Sequence, residues 1–464
     1  MKNADLTKRI GLTLGKYAPL HRGHQYIIER MLAENDEAVV IIYDTDITPI
    51  PLPVRAAWIR ELYPAVRVIE AWDGPIPPGW AEDEHGWTGR SVQQQHEERD
   101  QDPTHKPQSQ VRCRTEADGA GAGTAFVAME TVWPEITPGI AGTDDVDLGG
   151  AGSDGVSLYD ADSDDASLNG TGTDGAEIRA YEKSEEEYIL GLLLAEGLAR
   201  KAGDAVITDI TGFYSSEYYG AHVAEALGCA DVRIDEARKT FPVSSRLIRE
   251  DTYGNRRFVD PRVYQDLIVK AVFLGAMSTG KSALAEALAK RHGTSFAREY
   301  GRDYWTEFHR ERRIGLEEFD IIAKRHQEIE EEAFHEANRV CFVDTNAITT
   351  YVYSLDYHGK ATEYLTRAAI GNAMRYDLFF LCEDDIPYDD TWDRSGDAKR
   401  HVFHKQVVAD LEIRRIPYIR LSGSLEERMR KVEETLSVYE PYSNYFGGNG
   451  IIEKTKRKDI STKK

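Results

Sequence analysis

Val272-Phe273-Leu274-Gly275-Ala276-Met277-Ser278-Thr279-Gly280-Lys281-Ser282 satisfies the pattern GxxxxGK[ST] without a gap. An apolar β-rich run enters a glycine-containing turn, and a helical pattern leaves it. In such a turn successive backbone N–H groups cradle phosphate, so Gly275, Ser278, Thr279 and Gly280 are read as the nucleotide cradle. Lys281 then neutralises the β and γ oxygens of ATP, and the Ser282 hydroxyl is a ligand for Mg2+. Further β-rich runs at 340–343, 378–381 and 418–421, with helical stretches between them, continue the alternation of a parallel α/β sheet. Residues 259–440 are therefore expected to form one P-loop α/β domain.

Two kinds of carboxylate are needed beside such a loop. A strand-ending acid supports the metal, and Asp344 after Val340-Cys341-Phe342-Val343 stands in that position, with capping of the next helix as its competing role. A second acid holds or deprotonates the acceptor hydroxyl, and Glu299 and Asp303 in Arg298-Glu299-Tyr300-Gly301-Arg302-Asp303 are the candidates. An Asp- and Arg-rich loop at 389–400 could close over the γ-phosphate with its arginines.

Upstream, β-rich runs at 10–14, 38–43, 66–71, 205–210 and 232–234 predict a second nucleotide-binding α/β unit over residues 1–258. Its first run leads into Gly15-Lys16-Tyr17-Ala18-Pro19-Leu20-His21-Arg22-Gly23-His24 and an amphipathic helix at 25–33. Unpaired N–H groups and the macrodipole at that helix start attract phosphate oxygens, and Gly15 and Gly23 let a nucleotide approach the backbone. His21 and His24, three apart, share a face and can donate hydrogen bonds to a triphosphate. Lys16, in the same string, is grouped with them as a catalytic candidate.

This string resembles the nucleotidyltransferase superfamily with the HxGH signature, whose members adenylylate nicotinamide mononucleotide, phosphopantetheine or flavin mononucleotide. The resemblance implies that His21 and His24 bind ATP phosphates. Val243-Ser244-Ser245-Arg246-Leu247-Ile248-Arg249 looks like the family's second element, which implies that Ser244 and Arg249 close on the triphosphate, although Arg246 stands where a small polar residue is common. Together with Pro53-Val54-Arg55-Ala56-Ala57-Trp58 and Phe213-Tyr214-Ser215-Ser216-Glu217, the two nucleotide motifs, in this order, resemble the bifunctional nicotinamide-nucleotide adenylyltransferase and ribosylnicotinamide kinase, NadR-like, family. That likeness implies substrate contact by Arg55 and Trp58 and places Arg394 and Arg400 in the loop over the phosphates. A helix-turn-helix segment like that of the family is not expected, because the first strand opens at Ile10.

Between the two halves of the first unit lies a stretch poor in apolar residues. Residues 82–180 hold 21 Asp/Glu against 6 Lys/Arg, so −15 of the chain's net −23 is concentrated there. Within it AGTDDVDLGG, AGSDGVSLYD, ADSDDASLNG and TGTDGAEIRA align as four ten-residue repeats over 141–180. A solvated flexible insertion is the simpler reading, and a calcium-binding turn module the alternative. A helix is expected to resume at 184–201, with Ser184 capping and Glu187 reciprocating.

The acidic balance argues against nucleic acid as a partner, and the six basic residues from Lys454 onward read as a solvated 441–464 tail. Neither a signal peptide nor an apolar run of about 20 residues is present, so no membrane partner and a cytoplasmic location are expected. Cys113, Cys229, Cys341 and Cys382 lie far apart and read as free thiols. The 464 residues allow two enzymes: a kinase that phosphorylates nicotinamide riboside with ATP, and an adenylyltransferase that joins the mononucleotide to a second ATP, giving NAD and pyrophosphate. Another small phosphate ester as acceptor, or a nucleotide sensor with lost N-terminal catalysis, are the alternatives, and the chain could form a homo-oligomer.

Overall fold

The structure, a computed structural model, describes residues 8–45, 47–72, 175–217, 220–309, 314–387 and 397–442. Strands β1 (Ile10–Gly15), β2 (Glu37–Tyr43) and β3 (Val66–Ala71) are followed by β4 (Ala199–Ala202), β5 (Ala205–Thr208), β6 (Gly212–Ser215) and β7 (Ala230–Arg233). Five of them form one parallel sheet in the order β3-β2-β1-β6-β7. A second parallel sheet is built from β8 (Val269–Leu274), β9 (Phe296–Ala297), β10 (Val340–Asp344), β11 (Leu378–Cys382) and β12 (Ile419–Leu421), ordered β12-β11-β8-β10-β9. The protein is thus α/β with parallel sheets, as the alternation predicts.

The central strands β1 and β8 are the ones that enter the two glycine-containing strings. Chain direction reverses its drift across the sheet beside each of them, and such switch points leave a crevice at the carboxyl ends of the strands. Apolar runs there are nearly continuous because both faces are covered: Val39, Val40, Ile41 and Ile42 in β2, and Ala271 to Leu274 in β8, have no exposed surface beyond 1%. One apolar cluster runs from Ile28, Trp58 and Ile59 through Val263, Tyr264 and Ile268 to Phe334 and Leu381, joining helices of the first sheet to those of the second.

Three local expectations are corrected. The helix at 184–201 is instead Gly175–Ala195, so Ser184 lies in its interior and the last repeat, 171–180, runs into it. Arg179, Ala180 and most residues after Ser184 are good helix formers, and no proline in between stops a helix from starting earlier. Strand 205–210 does not join the sheet: β5 pairs with β4 as an antiparallel hairpin, with Ala202 opposite Ala205. The two-residue link Gly203-Asp204, with Gly203 at φ 67°, makes that hairpin. The sheet position goes to β6, whose buried Gly212 and Phe213 lie against Gly11 and Leu12.

The remainder of the acidic stretch, with its calcium alternative, Cys113, Arg394 and the tail from 443 lie outside the described residues. Cys229, Cys341 and Cys382 are free thiols. Among the described residues no helix is long and apolar enough to cross a membrane.

Candidate functional site

At the end of β1 the chain turns through 15–21 into the helix Arg22–Glu34, and His21 caps it. Its Nδ1 accepts from the N–H of Gly23 at 3.1 Å and faces that of His24 at 3.4 Å. The proton must then sit on Nε2, which is buried and meets no protein partner. His24 stacks on His21 with ring centroids 3.7 Å apart, and its Nδ1 is also buried without a partner. Two imidazole edges at a helix start, both without a partner among the described residues, suit phosphate oxygens wherever the edge carries the proton. A Cβ on Gly23 would stand 3.0 Å from the His21 ring, so a side chain there would push apart the stack.

Helix Ser245–Glu250 closes on this turn. Arg249 donates to the Ala18 carbonyl at 2.6 Å and Ser245 to that of Pro19 at 3.2 Å. Ser244 is the cap of that helix, accepting from the Leu247 N–H at 3.2 Å, so its hydroxyl orders the second element. Lys16 is half-buried, and its carbonyl accepts from Arg55. Sequence reasoning misses Arg238, which stands close enough to both histidines to oppose their protonation. Its loop is folded by Asp235, which accepts from the N–H groups of Lys239, Thr240 and Phe241. An Asp shortly before the run Ala237-Arg238-Lys239-Thr240 was the one visible turn signal.

Burial first, and then the charge of Arg238, hold His24 down at about 3, while His21 is pushed well below its usual range by burial and its neighbours His24 and Arg238. The folded histidines are therefore neutral, whereas unfolded ones titrate near about 6.5. A depressed histidine contributes fully above the unfolded value and loses that contribution as pH falls toward the folded one. At pH 5 the loss for His24 is at most about 2 kcal/mol. Urea midpoints of the ligand-free protein should accordingly drop between pH 7.5 and 5, and drop less in His24→Leu. An equal drop in both would show that His24 is not buried uncharged.

Arg55 and Trp58 do not face a substrate, contrary to expectation. Both are fully buried. Arg55 fastens the carbonyls of Ile50 (3.0 Å), Tyr43 (2.9 Å) and Lys16, with Asp44 at 3.6 Å, tying the exit of β2 to the histidine turn. Trp58 donates to Asp266 at 2.9 Å across the junction between the two sheets. A tryptophan on the apolar face of helix Leu52–Leu62 gains more from packing than from exposure. We expect Trp58→Ala to destabilise by about 3–5 kcal/mol and to leave substrate KM unchanged where the protein is folded. An intact urea midpoint with a raised KM would restore the substrate role.

The second site opens at the end of β8. A cavity of about 880 Å³ is lined at one end by Ser278, Thr279, Gly280, Lys281 and Ser282. Its other wall includes Trp305, Phe319, Tyr353 and Tyr357. Gly275 is obligatory: at φ 137° a Cβ would lie 2.6 Å from the Cys382 carbonyl. Lys281 folds back on the carbonyls of Gly275 (3.1 Å) and Ala276 (2.8 Å). The Thr279 hydroxyl braces the Ala276 carbonyl at 2.8 Å, so its contribution to the cradle is backbone.

Asp344 ends β10, in register with Phe273 on β8, and is 1% exposed, its Oδ1 without a partner among the described residues. Its competing capping role is filled by Asn346, which accepts from Ile348 and Thr349 at the start of Ala347–His358. A buried carboxylate oxygen without a protein partner among the described residues is the kind of ligand a hard divalent cation such as Mg2+ takes. Glu299 lines the same cavity, and burial followed by the charge of Asp344 raises its pKa. Asp303, by contrast, is not in the cavity lining: its side chain is 43% exposed and pairs with Arg298 at 3.1 Å.

Arg400 reaches the loop, but as a buried brace rather than a phosphate cover. It donates to the Ile386 carbonyl at 2.9 Å and stands 3.5 Å from that of Ser278. Arg428, absent from the sequence reading, does the same from the far side, donating to the carbonyls of Thr279 (2.7 Å) and Gly423 (3.0 Å) and pairing with Asp385. Its position on the buried face of helix Leu425–Val438 was the available signal.

Comparison with known proteins converges on one group. Residues 270–428 match the AAA domain family. The trifunctional NAD biosynthesis/regulator protein NadR of Escherichia coli (strain K12) is 30% identical over 213 residues, 45% of this chain and 52% of that protein. Over that stretch the chain is similar to the NadR proteins. Its counterpart in Salmonella typhimurium (strain LT2) is 29% identical over 211 residues, covering 44% of this chain and 51% of the relative. The chain therefore spans about half the length of the curated relatives it matches. A crystal structure of NadR protein in complex with NR aligns over 93% of this chain and 97% of its own, at 16% identity and a TM-score of 0.44.

Proposed function

We propose that the chain makes NAD in two steps, a P-loop kinase over 259–440 phosphorylating nicotinamide riboside and an adenylyltransferase over 1–258 converting the product to NAD. Residues 441–464 follow as a segment of basic sequence. What supports the kinase reading is one cavity whose lining combines a phosphate cradle, several aromatic side chains and Glu299. The buried indole N–H of Trp305, without a protein partner, adds a donor on the acceptor side. Similarity to a protein of NAD biosynthesis supports a pyridine nucleoside among flat aromatic acceptors.

In the kinase step the acceptor hydroxyl oxygen bonds to the γ-phosphorus, the bond to the β–γ bridging oxygen breaks, and ADP leaves. Glu299, with its raised pKa, takes the hydroxyl proton. Lys281 exchanges two carbonyls for phosphate oxygens, and Arg400 and Arg428 keep the loop backbone in place while it does. Ser282 and Asp344 would hold Mg2+, which supplies charge neutralisation at the transferring phosphoryl group. In the second step a mononucleotide phosphate oxygen attacks the α-phosphorus of ATP and pyrophosphate leaves. His21 Nε2–H and His24 then donate to oxygens that gain charge. The neutral state of both rings keeps them as donors without a fixed counter-ion.

The test is incubation of purified chain with ATP, magnesium and nicotinamide riboside, followed by mass identification of products. Nicotinamide mononucleotide followed by NAD and pyrophosphate is the expected sequence. Preference for phosphopantetheine or flavin mononucleotide in a competition assay would reassign the acceptor. ATP binding without pyrophosphate release would make the first site a sensor.

A further inference from the structure

Outside both nucleotide sites, two short segments bring together an unusual set of side chains. Glu383 and Asp384 follow β11 directly, and His401 and His404 lie three residues apart, on one face of helix Asp397–Arg414. One ligand atom from each of Glu383, Asp384 and His404 lies within 4.8 Å of the other two. His404 Nε2 stands 3.2 Å from Glu383 Oε2, near the roughly 3.3 Å that separates two ligands around a tetrahedral ion with bonds of about 2.0–2.1 Å.

His404 is 6% exposed; its Nε2 faces Glu383, and its Nδ1 has no partner among the described residues. His401 Nδ1 pairs with the Asp384 carboxylate, as an outer-shell histidine does when it orients a ligating acid. Arg420 occupies Oε1 of Glu383 at 2.6 Å and leaves Oε2 directed at His404. Asp385 is excluded from the set, since it is engaged by Arg428 and by the Gly423 N–H at 2.6 Å.

We propose that Glu383, Asp384 and His404 bind a first-row divalent transition metal of the zinc type, with His401 holding Asp384 in place. An imidazole with two carboxylates suits zinc, whereas magnesium takes oxygen ligands and keeps several waters, so this site is chemically distinct from that of Ser282 and Asp344. The metal would tie the exit of β11 to helix Asp397–Arg414. Those segments carry Ile386 and Pro387, in the cavity wall, and Arg400, on the loop carbonyls. Occupancy would thus fix one wall of the kinase cavity without touching a phosphate.

Untagged full-length protein, stripped with chelator and returned to excess magnesium, is titrated with zinc by calorimetry and with cobalt by visible absorption. One equivalent of zinc, and cobalt d–d bands of a four- or five-coordinate site, are expected. Affinity should fall by more than about 100-fold in His404→Ala and Asp384→Asn, and by about 10- to 100-fold in His401→Ala, the range for loss of an outer-shell partner. Circular dichroism of each variant separates unfolding from ligand loss, and the titration of unaltered protein stands on its own. Absence of a saturable zinc signal overturns the proposal, as does zinc binding that these substitutions leave unchanged. Neither result bears on riboside phosphorylation, which is assayed separately in magnesium alone.

Discussion

Lys281→Ala should lower phosphorylation of nicotinamide riboside by about 100- to 1,000-fold or more, the scale for removing a positioned charge from a transition state that spreads negative charge over phosphoryl oxygens. The side chain is 7% exposed at the start of helix Lys281–His292, on the wall of the cavity, and its ammonium needs only to leave two carbonyls to reach a bound triphosphate. Those carbonyls lose a partner in the variant, so Lys281→Met, which keeps most of the apolar stem, is the control for loop collapse. Adenylylation of supplied nicotinamide mononucleotide should stay within about twofold, because the histidine turn sits at the end of a different sheet. Coupled assays with riboside and with mononucleotide measure both. Equal loss of the two activities in a folded variant would sink the two-site reading.

The complementary substitution, His24→Ala, is expected to cut NAD formation from mononucleotide by about 100-fold or more and to spare the kinase. Two effects add in the same direction. The variant loses one of the two orphaned imidazole edges, and it removes the ring on which His21 stacks at 3.7 Å. His24→Asn separates them, since an amide can keep a donor near the Nδ1 position while failing to support the stack; partial recovery would assign the larger share to the donor. A fall in kcat at nearly constant KM for ATP would mark an interaction made in the transition state. Undiminished NAD formation would remove His24 from the chemistry.

Much of this was legible in the sequence because it depends on local rules. A β-rich run, a glycine that must sit at φ 137° and a Lys-Ser pair opening a helix describe a phosphate cradle wherever they occur together. His21 and His24 are three residues apart at a helix start, so covalent spacing alone brings them to one face. Strand alternation likewise announced two parallel sheets, since crossover helices between buried strands leave a repeating pattern.

Only the tertiary structure could decide roles that depend on what lies across a gap in sequence. Trp58, a substrate contact by resemblance, is placed in the core only when Asp266, 208 residues away, takes its N–H. Glu299 and Asp303 are chemically alike and one helical turn apart, yet one enters the cavity beside Asp344 and the other pairs at the surface with Arg298. Arg238 belongs to its site through its charge near the histidines, and Arg400 and Arg428 to theirs through loop carbonyls, and no short motif encodes such relations. Even the strand at 205–210 was lost to a hairpin by the turn Gly203-Asp204, while Gly212 and Phe213 took its place against β1. Local sequence sets which conformations and chemistries are available, and long-range packing chooses among them, because burial and charge neighbours act on a side chain only once distant segments meet.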